Sequence, residues 1–218
     1  MDKKERLIPK HGGYRKLKTF QIAQLIYDMT VRFCELYIHP RSRTSDQMIQ
    51  AARSGAQNIA EGSQASGTSK KTEIKLTSVG RASLEELRLD YEDYLRQRNL
   101  PMLEPDDPIL KRFKARRCST LDQVRNWIAY ERSHGQKATT KQTEKVSVRE
   151  SPCRSLSTDA LAANGTLSLI NLCCYMLDCQ IEKQAKMFEK EGGFTERLYK
   201  IRTSSRKANR YRNATVDF

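Results

Sequence analysis

The fold is decided by residues 68–97, TSKKTEIKLTSVGRASLEELRLDYEDYLRQ, whose pattern is that of one long amphipathic helix. Apolar or small side chains recur along it every three or four residues, which places them on one face of an α-helix. That face consists of Leu76, Gly80, Leu84, Leu87, Tyr91 and Leu95. Thr68 or Ser69 can cap its start, and Asn99 with Pro101 ends it. A helix with so long an apolar face needs other helices to cover it.

Three further long helices are predicted. Residues 14–37 have helical apolar spacing and end before Pro40, and a second helix begins near Ser45 with a face of small residues. The last, residues 159–191, ends at Gly192 and Gly193. No run alternates like a strand. We therefore predict an all-α fold, an antiparallel up-and-down four-helix bundle with an inserted helical or disordered segment before the last helix.

The remaining segments complete the predicted organisation. Residues 1–13 form an N-terminal extension, residues 14–100 hold the first three bundle helices, and residues 101–133 form a short helical insertion. Within the insertion, Trp127 is interpreted as a packing anchor rather than a base-stacking platform. Residues 134–158 are polar and predicted to be a linker without secondary structure. Residues 192–218 are predicted to be a basic tail, helical only in its first turns.

The charge of the chain points to an acidic partner. Lys and Arg number 40 against 26 Asp and Glu, a formal net charge of +14. Such an excess opposes a compact state, so nucleic acid or a nucleoprotein partner is favoured over the alternative of plain solubility. The longest apolar run, residues 167–177, is too short to span a bilayer, and no hydrophobic signal region follows the charged N-terminus. We expect a cytoplasmic protein.

The sequence gives no pattern of a catalytic or metal site. The six cysteines form no C-x-x-C pair, and core-packing thiols are the favoured interpretation. The three histidines fall in predicted loops or a terminus, without catalytic partners. The Glu-x-x-His pairs of di-metal bundles and a phosphate-binding P-loop are both missing. We expect a protein that is not an enzyme and has no cofactor or metal.

One polar constellation stands beside the apolar faces of the second and third helices. It pairs residues three apart on each helix: Asn58 with Glu61 and Ser83 with Glu86. Arg53 or Arg81 could neutralise a buried carboxylate there. A network that fixes helix register is favoured over a ligand or metal site, and an enzyme built on the two glutamates remains a third hypothesis.

Three basic clusters are the predicted nucleic-acid contacts. They stand at the start of the third helix, in the insertion and in the C-terminal tail. The predicted phosphate-binding residues are Lys70, Lys71, Lys75, Lys111, Arg112, Lys114, Arg116, Arg117, Arg206, Lys207, Arg210 and Arg212. No motif that reads bases accompanies them, so RNA or DNA would be bound without sequence specificity.

Several stretches resemble a known bacterial family. They are YRKLKTFQIAQLIYD (14–28), RSGAQNIAEGSQ (53–64) with its NIAEG element, and GRASLEELRLDYEDYL (80–95). They are similar to the four-helix-bundle proteins encoded by 23S ribosomal RNA intervening sequences and the accessory variability proteins of diversity-generating retroelements. The match covers roughly residues 14–100, with Ala82, Ser83 and Glu86 on its small-Ser-x-x-Glu element. The stretches after residue 163 resemble a longer variant with a C-terminal suffix region.

The resemblance implies an antiparallel four-helix protomer that assembles into a ring-shaped homopentamer. In the retroelement branch it also implies a basic surface that binds nucleic acid and a reverse transcriptase. We therefore expect a nucleic-acid-binding accessory or scaffold protein. The alternative is a structural oligomer or protein-interaction adaptor without nucleic-acid affinity, favoured by the additional apolar surface of Leu169, Leu172, Cys173 and Met176.

Overall fold

The structure is a computed structural model. It describes Ile8, residues 11–142 and residues 156–214, although the side chains of 135–142 and 208–214 lie outside that description. A short 3-10 turn, Tyr14–Lys16, comes first. The α-helices are α1 (Lys18–Tyr37), α2 (Arg43–Ala65), α3 (Lys70–Gln97), α4 (Pro108–Arg116), α5 (Leu121–Gln142), α6 (Thr158–Glu191) and α7 (Phe194–Ala214). Over these residues there is no strand, so the prediction of an all-α fold is confirmed.

Side-chain caps set where several helices begin. Ser42 accepts a hydrogen bond from the backbone N–H of Thr44, so α2 begins before the predicted Ser45. Ser69, one of the two predicted caps, accepts a hydrogen bond from the backbone N–H of Thr72 at the start of α3. The first helix is shorter than predicted because Leu17 is extended, with φ −72° and ψ 127°, and separates the 3-10 turn from α1.

Four helices pack in neighbouring pairs, α1 on α2, α2 on α3, α3 on α6 and α6 on α1. Their contacts fix the directions. Glu73 near the start of α3 meets Gln184 near the end of α6, whereas Tyr94 near the end of α3 meets Asp159 at the start of α6. These two helices therefore run in opposite directions. One hydrophobic core takes residues from these four helices and from α4 and α5.

Small residues let α2 and α3 approach closely. Gly55 and Gly80 face each other, and a Cβ added to Gly80 would lie 3.0 Å from the Gly55 carbonyl oxygen. Both glycines are buried. The close approach replaces side-chain packing by contact between backbones, so a larger residue at Gly80 would push the two helices apart.

The α4–α5 insertion docks on the first half of α6. Trp127 of α5 is fully buried, its ring centroid lies 4.5 Å from that of Phe113 of α4, and Gly165 of α6 makes room for it. The interpretation of Trp127 as a packing anchor is confirmed. The Asn164 side chain secures the preceding loop, donating to the Pro101 carbonyl (2.9 Å) and accepting from the Leu103 N–H (2.7 Å).

Two predictions about the polar segments are wrong. The predicted linker does not start at His134, because α5 continues to Gln142; residues 143–155 lie outside the described residues. The C-terminal segment is helical far beyond its first turns, because α7 extends to Ala214. Both stretches are rich in residues that favour helix over strand, although they lack a wide apolar face.

Within the helical stretch Thr158–Lys207, the most apolar 18 consecutive residues have a mean hydropathy of 1.4. By length and composition it could cross a membrane, yet 72% of these 18 residues are buried inside the protein. Its apolar side chains pack against α1, α3 and the insertion, so it has the burial of a core helix.

Candidate nucleic-acid interface

The first cluster lies on the opening turns of α3. Lys71 and Lys75 are exposed and one turn apart, so they share a face of the helix. Lys70 differs because its ammonium pairs with Glu73 at 3.1 Å, and Glu73 also accepts a hydrogen bond from Gln184. Lys71 and Lys75 are therefore the cations of this cluster that face solvent without an ion pair among the described residues.

Arg112 in the second cluster is held by a buried partner. Its guanidinium donates two hydrogen bonds to the Glu131 carboxylate, at 2.8 and 2.6 Å. The Glu131 side chain is only 3% exposed, whereas that of Arg112 is 43% exposed. The pair raises the pKa of Arg112, chiefly through the hydrogen bond to Glu131. This bidentate geometry joins α4 to α5 and gives Arg112 a structural role that the sequence analysis missed.

The other cations of this cluster have different surroundings. Lys114 donates to the Pro105 carbonyl, and the Arg116 guanidinium lies 4.7 Å from the Tyr130 ring centroid. Lys111 and Arg117 are exposed and have no side-chain partner among the described residues. The insertion therefore presents Lys111 and Arg117 to solvent, with Arg116 on an aromatic ring beside them.

The third cluster lies on α7. This helix has seven cations against one acid, Glu196, and its apolar residues Phe194, Leu198 and Ile201 share one side. Arg206 and Lys207 are exposed. Arg210 and Arg212 fall within the helical backbone, but their side chains lie outside the described residues. A basic helix thus replaces the predicted irregular tail.

The three clusters do not form one surface. The start of α3 meets α6 at Gln184, and α7 follows directly after α6, so these two clusters belong to the same end of the protein. Phe113 and Trp127 hold the insertion against Gly165 of α6, nineteen residues earlier. At 1.5 Å per residue the contact points are about 28 Å apart along α6. The molecule therefore has two separate basic ends.

The predicted polar network forms only in part. Ser54 joins Asn58 to Ser83, because Asn58 donates to the Ser54 hydroxyl at 3.0 Å and that hydroxyl lies 3.0 Å from the Ser83 hydroxyl. Glu61 and Glu86 are exposed, so the prediction that both carboxylates belong to a buried network is wrong.

The proposed neutralising arginines also lie elsewhere. Arg81 pairs with Asp178 of α6 and with Glu85, and Arg53 is exposed. Within the described part of the chain, no three His, Cys, Asp or Glu side chains come together as metal ligands. The Ser54–Ser83 hydroxyl contact thus joins α2 to α3, and the carboxylates of Glu61 and Glu86 do not take part in it.

The apolar surface predicted on α6 is mostly covered within the protomer. Leu169 and Cys173 are buried and Met176 is half-buried, whereas Leu172 is 46% exposed. Three arginines outside the predicted clusters border one apolar groove, which no local pattern revealed because they come from distant segments. They are Arg32, Arg125 and Arg132.

Comparison with protein-family models, with curated proteins and with solved structures finds no match to this chain.

Proposed function

We propose that this protein is a non-catalytic, basic helical protein that binds nucleic acid as an accessory or scaffold in a nucleoprotein complex. The observation that carries the proposal is α7, a helix with seven cations and one acid. Helical spacing spreads these charges around much of the circumference, where few acids offset them. Each phosphate that they neutralise releases counterions, which supplies affinity without sequence reading.

The architecture proposed for this function is an antiparallel up-and-down four-helix bundle of α1, α2, α3 and α6, with α4 and α5 inserted before the last helix. Contacts within two of the pairs support it, since Thr19 of α1 meets Gln180 of α6, and Gly55 and Gly62 of α2 meet α3 in reverse order. By resemblance, we propose a homo-oligomer, with a pentamer as the expected form and a reverse transcriptase as a possible partner in a cytoplasmic complex.

The separation of the basic ends makes the proposal specific about ligand length. A span of about 28 Å corresponds to about eight base-pair steps of 3.4 Å. A shorter duplex can contact one end only, whereas a longer duplex can contact both ends of one protomer. Affinity should therefore rise steeply between duplexes of 6 and 20 base pairs.

The test is fluorescence anisotropy of labelled duplex and single-stranded oligonucleotides over a range of salt concentrations. Replacing Arg206, Lys207, Arg210 and Arg212 with Ala should weaken binding and flatten the slope of log affinity against log salt. Lys71→Gln with Lys75→Gln, and Lys111→Gln with Arg117→Gln, test the two ends separately. Arg53→Gln is the matched control because Arg53 is exposed and outside every cluster. A salt slope that the fourfold Ala variant leaves unchanged would remove α7 from the interface.

The adaptor alternative rests on the apolar residues that α6 leaves in solvent. Leu172 and Tyr175 are 46% and 67% exposed on neighbouring turns. If they form a subunit or partner contact, the wild-type protein should be a defined oligomer in light scattering and Leu172→Ser should dissociate it. Adding nucleic acid should not change the mass of either protein. An oligomer that persists in Leu172→Ser removes this contact from the assembly.

A further inference from the structure

An apolar groove of about 290 Å³ opens where α5 lies beside α1 and α6. Its walls are mainly carbon, and three arginines border it. Among the residues that the structure describes, no acidic side chain lines it. The apolar walls are Met29, Phe33 and Leu36 from α1, Leu121, Val124, Ile128 and Ala129 from α5, and Ala162 from α6.

The arginines are able to receive an anion. Arg32 and Arg125 are paired only with exposed acids of their own helices, Glu35 at 2.9 Å and Asp122 at 3.0 Å. Such pairs contribute little in water and exchange readily for another anion. Arg132 has no ion-pair partner in the described part of the chain. The groove thus combines a hydrophobic surface with Arg132, which has no ion pair among the described residues, and with two arginines that pair only with exposed acids.

The arginines occupy different positions along the groove: on α5, Arg125 lies one helical turn after Leu121, and Arg132 lies two turns further on. The charges of Arg32 and Arg132 both act on the Tyr37 hydroxyl, where they oppose the rise in its pKa that burial and Asp159 cause. Asp159 stays outside the groove lining, and its carboxylate accepts a hydrogen bond from the Tyr94 hydroxyl at 3.0 Å. Arg32, Tyr37 and Arg132 all line the groove, so two guanidiniums and one hydroxyl are available there to a small anionic group.

The opposite end is largely apolar, because the charge of its one arginine, Arg125, is offset by the ion pair with Asp122. On α5, Leu121 lies eleven residues before Arg132, which is about 16 Å along the helix axis. The volume lies at the lower end of the range for small-molecule sites. The groove therefore offers mainly hydrocarbon near Leu121 and, at the other end, Arg132, which has no ion pair among the described residues. A medium-length acyl chain with a carboxylate head matches that order.

We propose that this groove binds a free anionic amphiphile, a medium-chain carboxylate whose head meets Arg132 and Arg32 and whose chain lies along Leu121, Val124 and Ile128. None of these residues belongs to the proposed phosphate contacts, so the site is independent of nucleic-acid binding. Burial of the ligand's hydrocarbon chain away from water supplies the affinity, and the guanidiniums select for an anionic head group.

The test uses calorimetric titration of the full chain with dodecanoate, below the concentrations at which it forms micelles. Saturable binding of one molecule per chain is expected. Dodecanol, which lacks the charge, should bind about tenfold more weakly, and Arg132→Gln should weaken dodecanoate binding by a similar factor. Lys111→Gln controls for the loss of one exposed cation.

A second variant tests the place of binding. Ala129 is exposed and lines the groove, so Ala129→Phe should fill it and abolish binding without disturbing the core. Ala115→Phe, at an exposed position on α4 away from the groove, should leave binding unchanged.

Four outcomes would overturn the proposal. They are no dodecanoate binding, equal binding of dodecanol, binding that survives Ala129→Phe, and wild-type dimerisation that Ala129→Phe removes, which would make a second copy the occupant. Flotation with phosphatidylglycerol vesicles distinguishes binding to a lipid surface from binding of the free carboxylate. Association with vesicles that persists in Ala129→Phe, while free dodecanoate does not bind, would place lipid contact on another surface.

Discussion

Replacing Arg112 with Met separates a structural cation from the binding cations beside it. The change keeps the apolar stem of the side chain and removes the guanidinium that holds Glu131. Glu131 is 3% exposed and would stay buried without a partner, but Arg112 is 43% exposed, so solvent reaches one side of the pair. The cost should lie between that of an exposed pair and that of a fully buried one, about 2 kcal/mol.

The single tryptophan makes the assay specific. Trp127 lies one helical turn before Glu131 on α5 and is fully buried, so its fluorescence reports the docking of the insertion. Circular dichroism at 222 nm reports all helices. In urea, Arg112→Met should lower the fluorescence midpoint more than the dichroism midpoint. Adding Glu131→Met should restore part of the lost stability, since the buried charge is then gone.

The same variant also tests whether Arg112 contributes to nucleic-acid binding. Nucleic-acid affinity should stay within twofold of wild type in Arg112→Met and fall in Lys111→Gln, whose stability should not change. Unchanged stability of Arg112→Met, together with weakened binding like that of Lys111→Gln, would refute the assignment of Arg112 to the frame of the insertion.

Three further predictions concern the core. Trp127→Ala should lower the free energy of unfolding by about 3–5 kcal/mol in urea denaturation, and a loss under 1 kcal/mol would contradict its anchoring role. Gly80→Ala should destabilise the protein in thermal melts although alanine favours helix by about 1 kcal/mol, because the new Cβ meets the Gly55 carbonyl oxygen; a raised melting temperature would show that the helices separate easily. Burial raises the pKa of Cys173 to about 12, so its thiol stays protonated at pH 8. Iodoacetamide should therefore modify exposed Cys179 well before Cys173 in peptide mapping, and equal rates would contradict the buried placement.

The long helices could be predicted because their apolar periodicity extends over many turns. Residues 159–191 predict α6 to within one residue of its observed start at Thr158. Thr68 or Ser69 predicts the start of α3 to within one residue, because a hydroxyl side chain before a helical pattern can accept a hydrogen bond from a backbone N–H, and Ser69 does so. Polar helices gave a weaker signal. The stretch after His134 and the later part of α7 lack a wide apolar face, so their composition suggested irregular chain.

The site was harder to predict because its geometry depends on contacts between distant segments. Arg112 and Glu131 are nineteen residues apart, and no local spacing reveals that they meet. The i, i+3 spacing correctly placed Asn58 and Glu61 on neighbouring positions of α2. It did not fix how the helix is rotated, and the close contact at Gly80 leaves Asn58 beside α3 and Glu61 in solvent.

The central claim is that this helical protein binds nucleic acid through its basic ends. Size-exclusion chromatography with light scattering, with and without a pool of single- and double-stranded nucleic acid, tests it at low and physiological salt. We expect a closed oligomer that takes up nucleic acid, with the complex weakening as salt rises. A closed oligomer that ignores nucleic acid at both salt concentrations would contradict the claim and favour the adaptor, with the net charge of +14 then serving an acidic protein partner.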